Sequence, residues 1–386
     1  MVPVTPASAE DMARVLQEAD EASRTIALIG NNSKRLMAGP VPASDITIST
    51  TRLDRVLQYE PNDLTISVEA GMRFSALQQL LASHRQMIAL DPPFSEQATV
   101  GGVIAANSSG AMRRLYGTPR DLVIGMKFAM LNGKIISSGG IVVKNVAGLD
   151  MGKLLIGSFG TLAVMTSINF RLHAMPEHTS TFLFSFNALE PAIDKRNWLL
   201  RSVLRPIAVD LLSPPAAVHF EQRGYILAIR AGGSRQVLDR YAKELHGSKE
   251  LRDADDQHFW ALMREFPAEF LRQTPGGIVI RVSTTLSEVA SVFRKLPGTV
   301  VSRAGSGVSY VYLHSWESAH LVRRAATEGG WSAVVEWAPD EIRASKKLWF
   351  AGTGSAETES FAMMRKIKSM FDPKNLLNRY RLYGRL

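Results

Sequence analysis

The chain has 386 residues, 46% of them hydrophobic and 21% charged, and a formal net charge of +9. That length exceeds one ordinary core, so two packed units are expected, and the composition is that of a globular protein rather than a disordered or fibrous one. The absence of cysteine excludes disulfides, thiolate nucleophiles, Cys-ligated zinc and Cys-ligated iron–sulfur clusters within this chain; the basic balance favours acidic partners, small carboxylates and phosphates among them.

The positive charge lies in short runs, Arg113-Arg114, Lys346-Lys347 and residues 379–385, which read as solvated surface. No nucleic-acid-binding signature accompanies them. No apolar run reaches the length of a membrane span, and the first residues lack a basic segment followed by an apolar one, so the cytoplasm is the expected compartment.

Ser8 reads as a helix N-cap with Asp11 in the first turn, followed by Met12, Val15, Leu16 and Ala19 at helical spacing. Residues 25–29 form an apolar run that ends at Gly30 and delivers the chain into a polar loop, Gly30-Asn31-Asn32-Ser33-Lys34. Residues 46–49 and 64–68 read as further strands, and 74–84 as a helix with Leu77, Leu80 and Leu81 on one face. Two β-rich runs within 122–138 flank Asn132-Gly133, which predicts a hairpin with a type I′ turn and positive φ at both residues. A strand over 162–170 follows Gly157 and Gly160.

Beyond about residue 178 glycine loops thin out and all six tryptophans appear. Strands are expected at 225–230, 277–282 and 309–313, and a late helix at 361–370. The boundary falls at 174–180, at the Pro176 turn. The pattern is α+β and lacks the regular βαβ alternation of a dinucleotide-binding fold.

Four loops of the first half carry chemistry: residues 30–34, 91–94, 99–110 and 115–121. Three mix Gly with Ser, Thr or Asn, which lets main-chain N–H groups approach the oxygens of a diphosphate. Residues 99–107 also read as a loop entering a helix, whose N-terminus adds free donors and partial positive charge. Any one such loop is commonly just a tight turn. Four in 121 residues, followed by Lys144-Asn145-Val146-Ala147-Gly148-Leu149-Asp150 and Gly157-Ser158-Phe159-Gly160, point to a ligand.

In order and spacing, TVGGVIAANSSG, YGTPRDLVIG, the Asn-Gly hairpin and the run from 142 to 172 resemble the FAD-binding domain of the vanillyl-alcohol oxidase (p-cresol methylhydroxylase) family. The resemblance covers roughly residues 1–175. Within that family the 144–150 segment and Asp91-Pro92-Pro93-Phe94 are most similar to the FAD-binding subunits of bacterial glycolate oxidases, and residues 371–378 resemble the family's closing motif. It implies a two-subdomain FAD-binding domain of the p-cresol methylhydroxylase type at 1–175. A smaller α+β C-terminal domain at 180–386 would then return to the FAD domain at its end.

The resemblance further implies site residues. Gly30, Asn31, Asn32, Ser33 and Lys34 would wrap the diphosphate, with Thr99, Val100, Gly101 and Gly102 on its other side. Ala106, Asn107, Ser109 and Gly110 would line the flavin, Gly117 and Asp121 would sit beside the cofactor, and Pro92 would shape the flavin wall. Gly157, Gly160, Leu162 and Val164 would border the adenosine end through backbone contacts. The pattern departs from the family in two places. Asn32 stands where a second glycine is usual, a position Asn tolerates in the left-handed region. Arg379-Tyr380 replaces Pro-Gly in the closing motif, with Arg381 retained. With no histidine beside the first loop and no cysteine, the usual covalent attachment points are missing, and FAD is expected to bind non-covalently.

A 2-hydroxy acid dehydrogenase holds a carboxylate, usually with Arg, and removes a hydroxyl proton, usually with His, while the flavin takes the hydride. The family's paired histidines are not found among the eight in this chain. His314 after a strand, Glu336 at the end of AVVE and Arg281 on IVIRV are the candidates. Their bland alternatives are a surface histidine and an arginine paired with an acid. No metal site is expected.

This balance favours an FAD-binding subunit of a glycolate oxidase-like complex that oxidises a small 2-hydroxy acid. The resemblance supplies its partners, a larger catalytic flavoprotein and an iron–sulfur subunit, through which the chain could sit peripherally on the inner face of the membrane. Two readings stay open beside it: a stand-alone FAD-dependent 2-hydroxy acid or alcohol oxidoreductase, and a non-catalytic scaffold that kept the fold.

Overall fold

The structure, a computed structural model, describes residues 2–141, 150–296, 298–350 and 355–386. The motif at 144–149 lies outside the described residues. The chain divides into two compact units, each described by itself: Met1–Ser109, Gly117–Met175 and Ser355–Leu386 form the first, Gly110–Tyr116 and Pro176–Gly354 the second. The change of unit at Met175 falls at the Pro176 turn. Gly110–Tyr116, which the sequence placed in the first domain, packs with the second unit.

The strands of the first unit are β1 (Ile26–Ile29), β2 (Ile46–Ser49), β3 (Val56–Glu60), β4 (Thr65–Glu69), β5 (Gln86–Met87), β6 (Val123–Ala129), β7 (Ile135–Gly139), β8 (Val164–Arg171) and β9 (His173–Ala174). β1 and β2 pair in parallel, with isolated bridges adding Val4 beside Ile48 and Leu377 beside Ile26. The helix Ala9–Glu21 starts where Ser8 Oγ accepts the Asp11 N–H at 3.0 Å. Its buried Met12, Ala13, Leu16 and Ala19 pack with Ile26, Ile48, Val164 and Leu377. A five-stranded antiparallel sheet runs β3-β4-β8-β6-β7. Its inner face packs Ile66, Val68, Met126, Phe128, Ile168 and Phe170 against Phe74 and Leu77 of the helix Phe74–Ala82 and Val103 and Ile104 of the helix Val100–Ala105. β3 is an exposed edge strand without apolar alternation, so it left no periodic signal in the sequence.

The β6–β7 hairpin forms, but not through the type I′ turn. Only Gly133 has positive φ, +76°, and its N–H donates to Met130 O at 3.0 Å. The loop is one of the longer kind, a turn over 130–133 closed by a left-handed glycine, and Asn132 Oδ1 accepts the Lys134 N–H. The dipeptide announced a turn, whereas loop length decided its type.

The second unit is built on a nine-stranded sheet of β10 (His178–Phe186), β11 (Ala208–Leu212), β12 (Tyr225–Gly233), β13 (Lys249–Arg252), β14 (Ile278–Ser283), β15 (Thr299–Arg303), β16 (Val308–Leu313), β17 (Ser332–Trp337) and β18 (Trp349–Phe350). The order is β13-β10-β12-β11-β15-β16-β14-β17-β18, antiparallel throughout. The helix Asp253–Gln273 lies on one face. At its first turn the buried Asp256 accepts from Thr179 at 2.6 Å, Thr181 at 2.5 Å and Arg230 at 2.7 Å, and further along Phe266 and Phe270 pack on Tyr312.

Candidate functional site

Two of the loops singled out in the first unit, 30–34 and the start of 99–110, meet, and the 157–160 segment packs on the end of the helix that follows Thr99. Gly30 follows β1 without room for a side chain, since a Cβ there would lie 2.3 Å from Thr99 Oγ1. Asn31 Nδ2 donates to Gln97 O at 3.0 Å, which docks the first loop on the entry to the helix Val100–Ala105. Asn32 adopts φ +56°, the left-handed turn that a glycine would take there. The backbone N–H groups of Asn31, Asn32 and Ser33 donate to no protein atom among the described residues. Successive N–H groups at a left-handed turn make a concave anion receptor, so this loop's donor set fits a diphosphate.

The Thr99–Gly102 turn is engaged differently from the expectation. The N–H groups of Val100, Gly101 and Gly102 go to Met72 O, Ala70 O and Thr99 Oγ1 at 2.8, 2.7 and 3.2 Å. Thr99 caps the helix, and the turn's contribution is to seat the first loop. Ala106 ends the helix and Asn107 turns out at φ +48°. Gly157 and Gly160, at φ +81° and +69°, carry the chain back over that end, the N–H of Gly157 donating to Ile104 O and that of Phe159 to Ala105 O. Leu162, Val164 and Val100 are buried core residues, and Pro92 is buried too. Asp121 spends its carboxylate on Thr118 in a capping box, and a Cβ on Gly117 would strike it, so both have a visible structural task. Ser109 closes the first segment of this unit, and Gly110 opens the segment that packs with the other.

The C-terminal tail braces this cluster. Asn378 Oδ1 accepts the Leu28 N–H at 2.7 Å, and its Nδ2 donates to Phe159 O at 2.9 Å. Arg381 donates to the carbonyls of Lys34, Arg35 and Gly39, at 2.7, 3.2 and 2.7 Å, holding the first loop from behind. Tyr380 takes φ +62° at the place of the family's glycine, so the turn survives that replacement.

In the second unit, a row of polar side chains crosses one face of the sheet. Register places Asp210, Arg303, Tyr310 and Arg281 on the same face of β11, β15, β16 and β14. Arg281 Nε donates to Glu336 of β17 at 2.7 Å, so these two sequence candidates are brought together, as the bland alternative of an acid-paired arginine anticipated. Burial raises the Glu336 pKa against the lowering influence of Arg281 and Arg113. His314 stands apart: it is exposed, four residues along the chain from Tyr310, with its ring 5.6 Å from Phe270.

Residues 2–139 match the FAD binding domain family, and residues 351–382 match the C-terminal domain of FAD linked oxidases. Glycolate oxidase subunit GlcE of Escherichia coli (strain K12) is 26% identical, covering 92% of this chain and 92% of its own. The D-lactate dehydrogenase of Archaeoglobus fulgidus is 25% identical, over 98% of this chain and 90% of its own. Among solved structures, p-cresol methylhydroxylase with substrate bound superposes with a TM-score of 0.74 at 15% identity, over 99% of this chain and 88% of that one, which establishes the fold. The chain is an FAD-dependent oxidoreductase of the FAD-linked oxidase fold. When bound, FAD supplies the hydride- and electron-accepting chemistry. In this unit Gly30, Thr99 and Arg381 fix the first loop, and the open N–H groups of residues 31–33 are the ones that would hold the diphosphate.

The flavoprotein's helix cap gives a first test. Thr99→Val removes the oxygen that accepts the Gly102 N–H and is expected to cost about 1 kcal/mol. That is a fall of roughly 2–4 °C in the melting temperature followed by circular dichroism. Thr99→Ser should stay close to wild type; equal melting of all three proteins would show that the cap contributes nothing.

Sequence reasoning noted Arg381 and the closing motif but missed Lys368, whose ammonium lies buried among Thr161 O, Leu377 O and Asp372. It passed over Asp210, Arg303 and Tyr310, and read Arg113 as solvated surface. The available signal was a lone charged residue in an apolar strand, as in AVDLL and TVVSR.

Proposed function

We propose that the protein is the FAD-binding subunit of a glycolate oxidase-like dehydrogenase, holding FAD non-covalently and passing electrons from a small 2-hydroxy acid. The observation that carries this reading is the first loop, whose open N–H groups are braced by Thr99 and Arg381, in a chain aligned over nearly its full length with a glycolate oxidase subunit. Non-covalent binding is supported by the lack of cysteine and by the absence of histidine from residues 30–34 and 99–110. The same lack of cysteine supports partners, a larger flavoprotein and an iron–sulfur protein, because any cluster must be carried by another chain.

The D-lactate dehydrogenases among the relatives favour a second reading, a stand-alone 2-hydroxy acid dehydrogenase. The two separate on the isolated chain. Purified protein is expected to be yellow, to release stoichiometric FAD on acid denaturation, and to turn over glycolate or D-lactate only weakly with an artificial acceptor. Robust turnover by the chain alone transfers the assignment to the second reading, and colourless protein removes both.

A further inference from the structure

We propose that the second unit contains a binding site for a small monoanionic carboxylate, headed by Arg113 over the Arg303–Tyr310–Arg281 row of the nine-stranded sheet. The choice of a carboxylate rests on the 2-hydroxy acid reading above; the anion site itself rests on the residues of this unit.

The charges of the row are nearly matched. Arg303 pairs with the buried Asp210, and Arg281 with Glu336. Arg113 lies within electrostatic reach of Arg281, Arg303, Tyr310 and Glu336, yet its half-buried side chain has no hydrogen-bond or ion-pair partner among the described residues. Among the described side chains of the row, three guanidiniums stand against two carboxylates, and Arg113 is the guanidinium not paired with either. Burial pulls the Arg113 pKa down, with Arg281 and Arg303 adding to the effect and Tyr310 and Glu336 opposing it.

Arg113 is held in place by its neighbour. Arg114 donates to Gly305 O at 3.0 Å in the turn between β15 and β16, and its side chain crosses so close to Gly305 that a Cβ would lie 2.4 Å from Cδ. That turn is itself fixed by Arg196, which donates twice to Ala304 O at 2.9 and 2.7 Å. Gly110–Tyr116 is thereby pinned over the sheet, and Arg113 is presented to the row at a defined place. The guanidinium fork is the shape that takes a carboxylate through two parallel hydrogen bonds. Tyr310, kept protonated by burial, offers a neutral hydroxyl as a further donor. Glu336 remains within electrostatic reach of Arg113 and repels a second negative charge, so a single surplus charge selects a monoanion over a dianion.

The probe is 2-hydroxyisobutyrate, a 2-hydroxy acid without an α-hydrogen, which binds but cannot donate a hydride. Isothermal titration of the purified flavoprotein should show saturable binding, weaker for the dianion malonate. Arg113→Met should weaken it about 30-fold or more, the loss expected when one partner of a buried charged hydrogen bond is truncated. Arg113→Lys should fall between, since it keeps the charge but loses the fork. Both variants should keep wild-type melting temperature and flavin content, which separates lost binding from lost folding. Unchanged affinity in Arg113→Met, no binding by wild type, or tighter binding of malonate each overturns the site. The function above stands in those cases if wild type still oxidises 2-hydroxy acids in its complex. Arg113-dependent binding by a protein whose flavin no 2-hydroxy acid reduces, alone or in complex, overturns the function and leaves the anion site standing.

Discussion

Replacing Asp372 with alanine is expected to destabilise the first unit by about 3–5 kcal/mol, the usual cost of stranding one member of a buried ion pair. Asp372 and Lys368 are both buried, at 1% and 5% exposure, and their charged atoms lie 2.5 Å apart. Burial pulls the Lys368 pKa down and Asp372 pulls it back up, so the ammonium depends on that carboxylate. Asp372 also accepts the N–H groups of Leu376 and Leu377, at 2.9 and 2.8 Å, just before Leu377 bridges to Ile26 and Asn378 grips Leu28. Alanine orphans all of these together. For a unit of this size the loss corresponds to a fall of roughly 10 °C in melting temperature. Flavin content should fall with it, because Arg381 behind the first loop hangs from the same turn. Lys368→Met should be destabilising by a similar amount, since it strands the buried Asp372 carboxylate, though Asp372 keeps its two N–H donors. A melting curve for Asp372→Ala that overlays the wild type would show that the tail is not a structural staple.

This staple marks where the sequence was legible and where it was not. The first loop could be read because a local grammar writes it: an apolar strand, then Gly30, then small polar residues. The helix Val100–Ala105 announced itself through Thr99 in the same way. Arg381 and Lys34, by contrast, meet across 347 positions, and no local pattern encodes that meeting. The hairpin shows an intermediate case, with the turn's existence written in Asn132-Gly133 and its geometry set by the flanking register. The polar row was hidden for a different reason. Each member is one charged or hydroxylated residue in an otherwise apolar strand, and only the strand order β11-β15-β16-β14-β17 sets them side by side. His314 shows the converse, a chemically suggestive residue that the fold leaves at the surface.

The first loop makes the sharpest demand on the cofactor assignment, and Asn32 is the residue that separates its backbone from its charge. At φ +56°, glycine fits without strain and asparagine at small cost, whereas a β-branched side chain is strongly disfavoured. Asn32→Gly should therefore bind FAD as well as wild type. Asn32→Val must either pay about 1–2 kcal/mol or turn the loop over, which scatters the N–H groups of residues 31–33. FAD affinity should then fall by roughly 10-fold or more. Asn32→Asp keeps the left-handed turn and places a carboxylate beside the diphosphate. Its affinity should also fall, but the loss should shrink as added salt screens the repulsion, which the valine variant's loss will not do. Flavin fluorescence quenching on titrating FAD into apoprotein measures all three, with circular dichroism confirming the fold. If the valine and aspartate variants both hold FAD as tightly as wild type, residues 31–33 do not cradle the diphosphate. Their open N–H groups are then only the mark of an exposed turn. If only glycine matches wild type, and only aspartate recovers with salt, the loop binds a polyanion through its backbone.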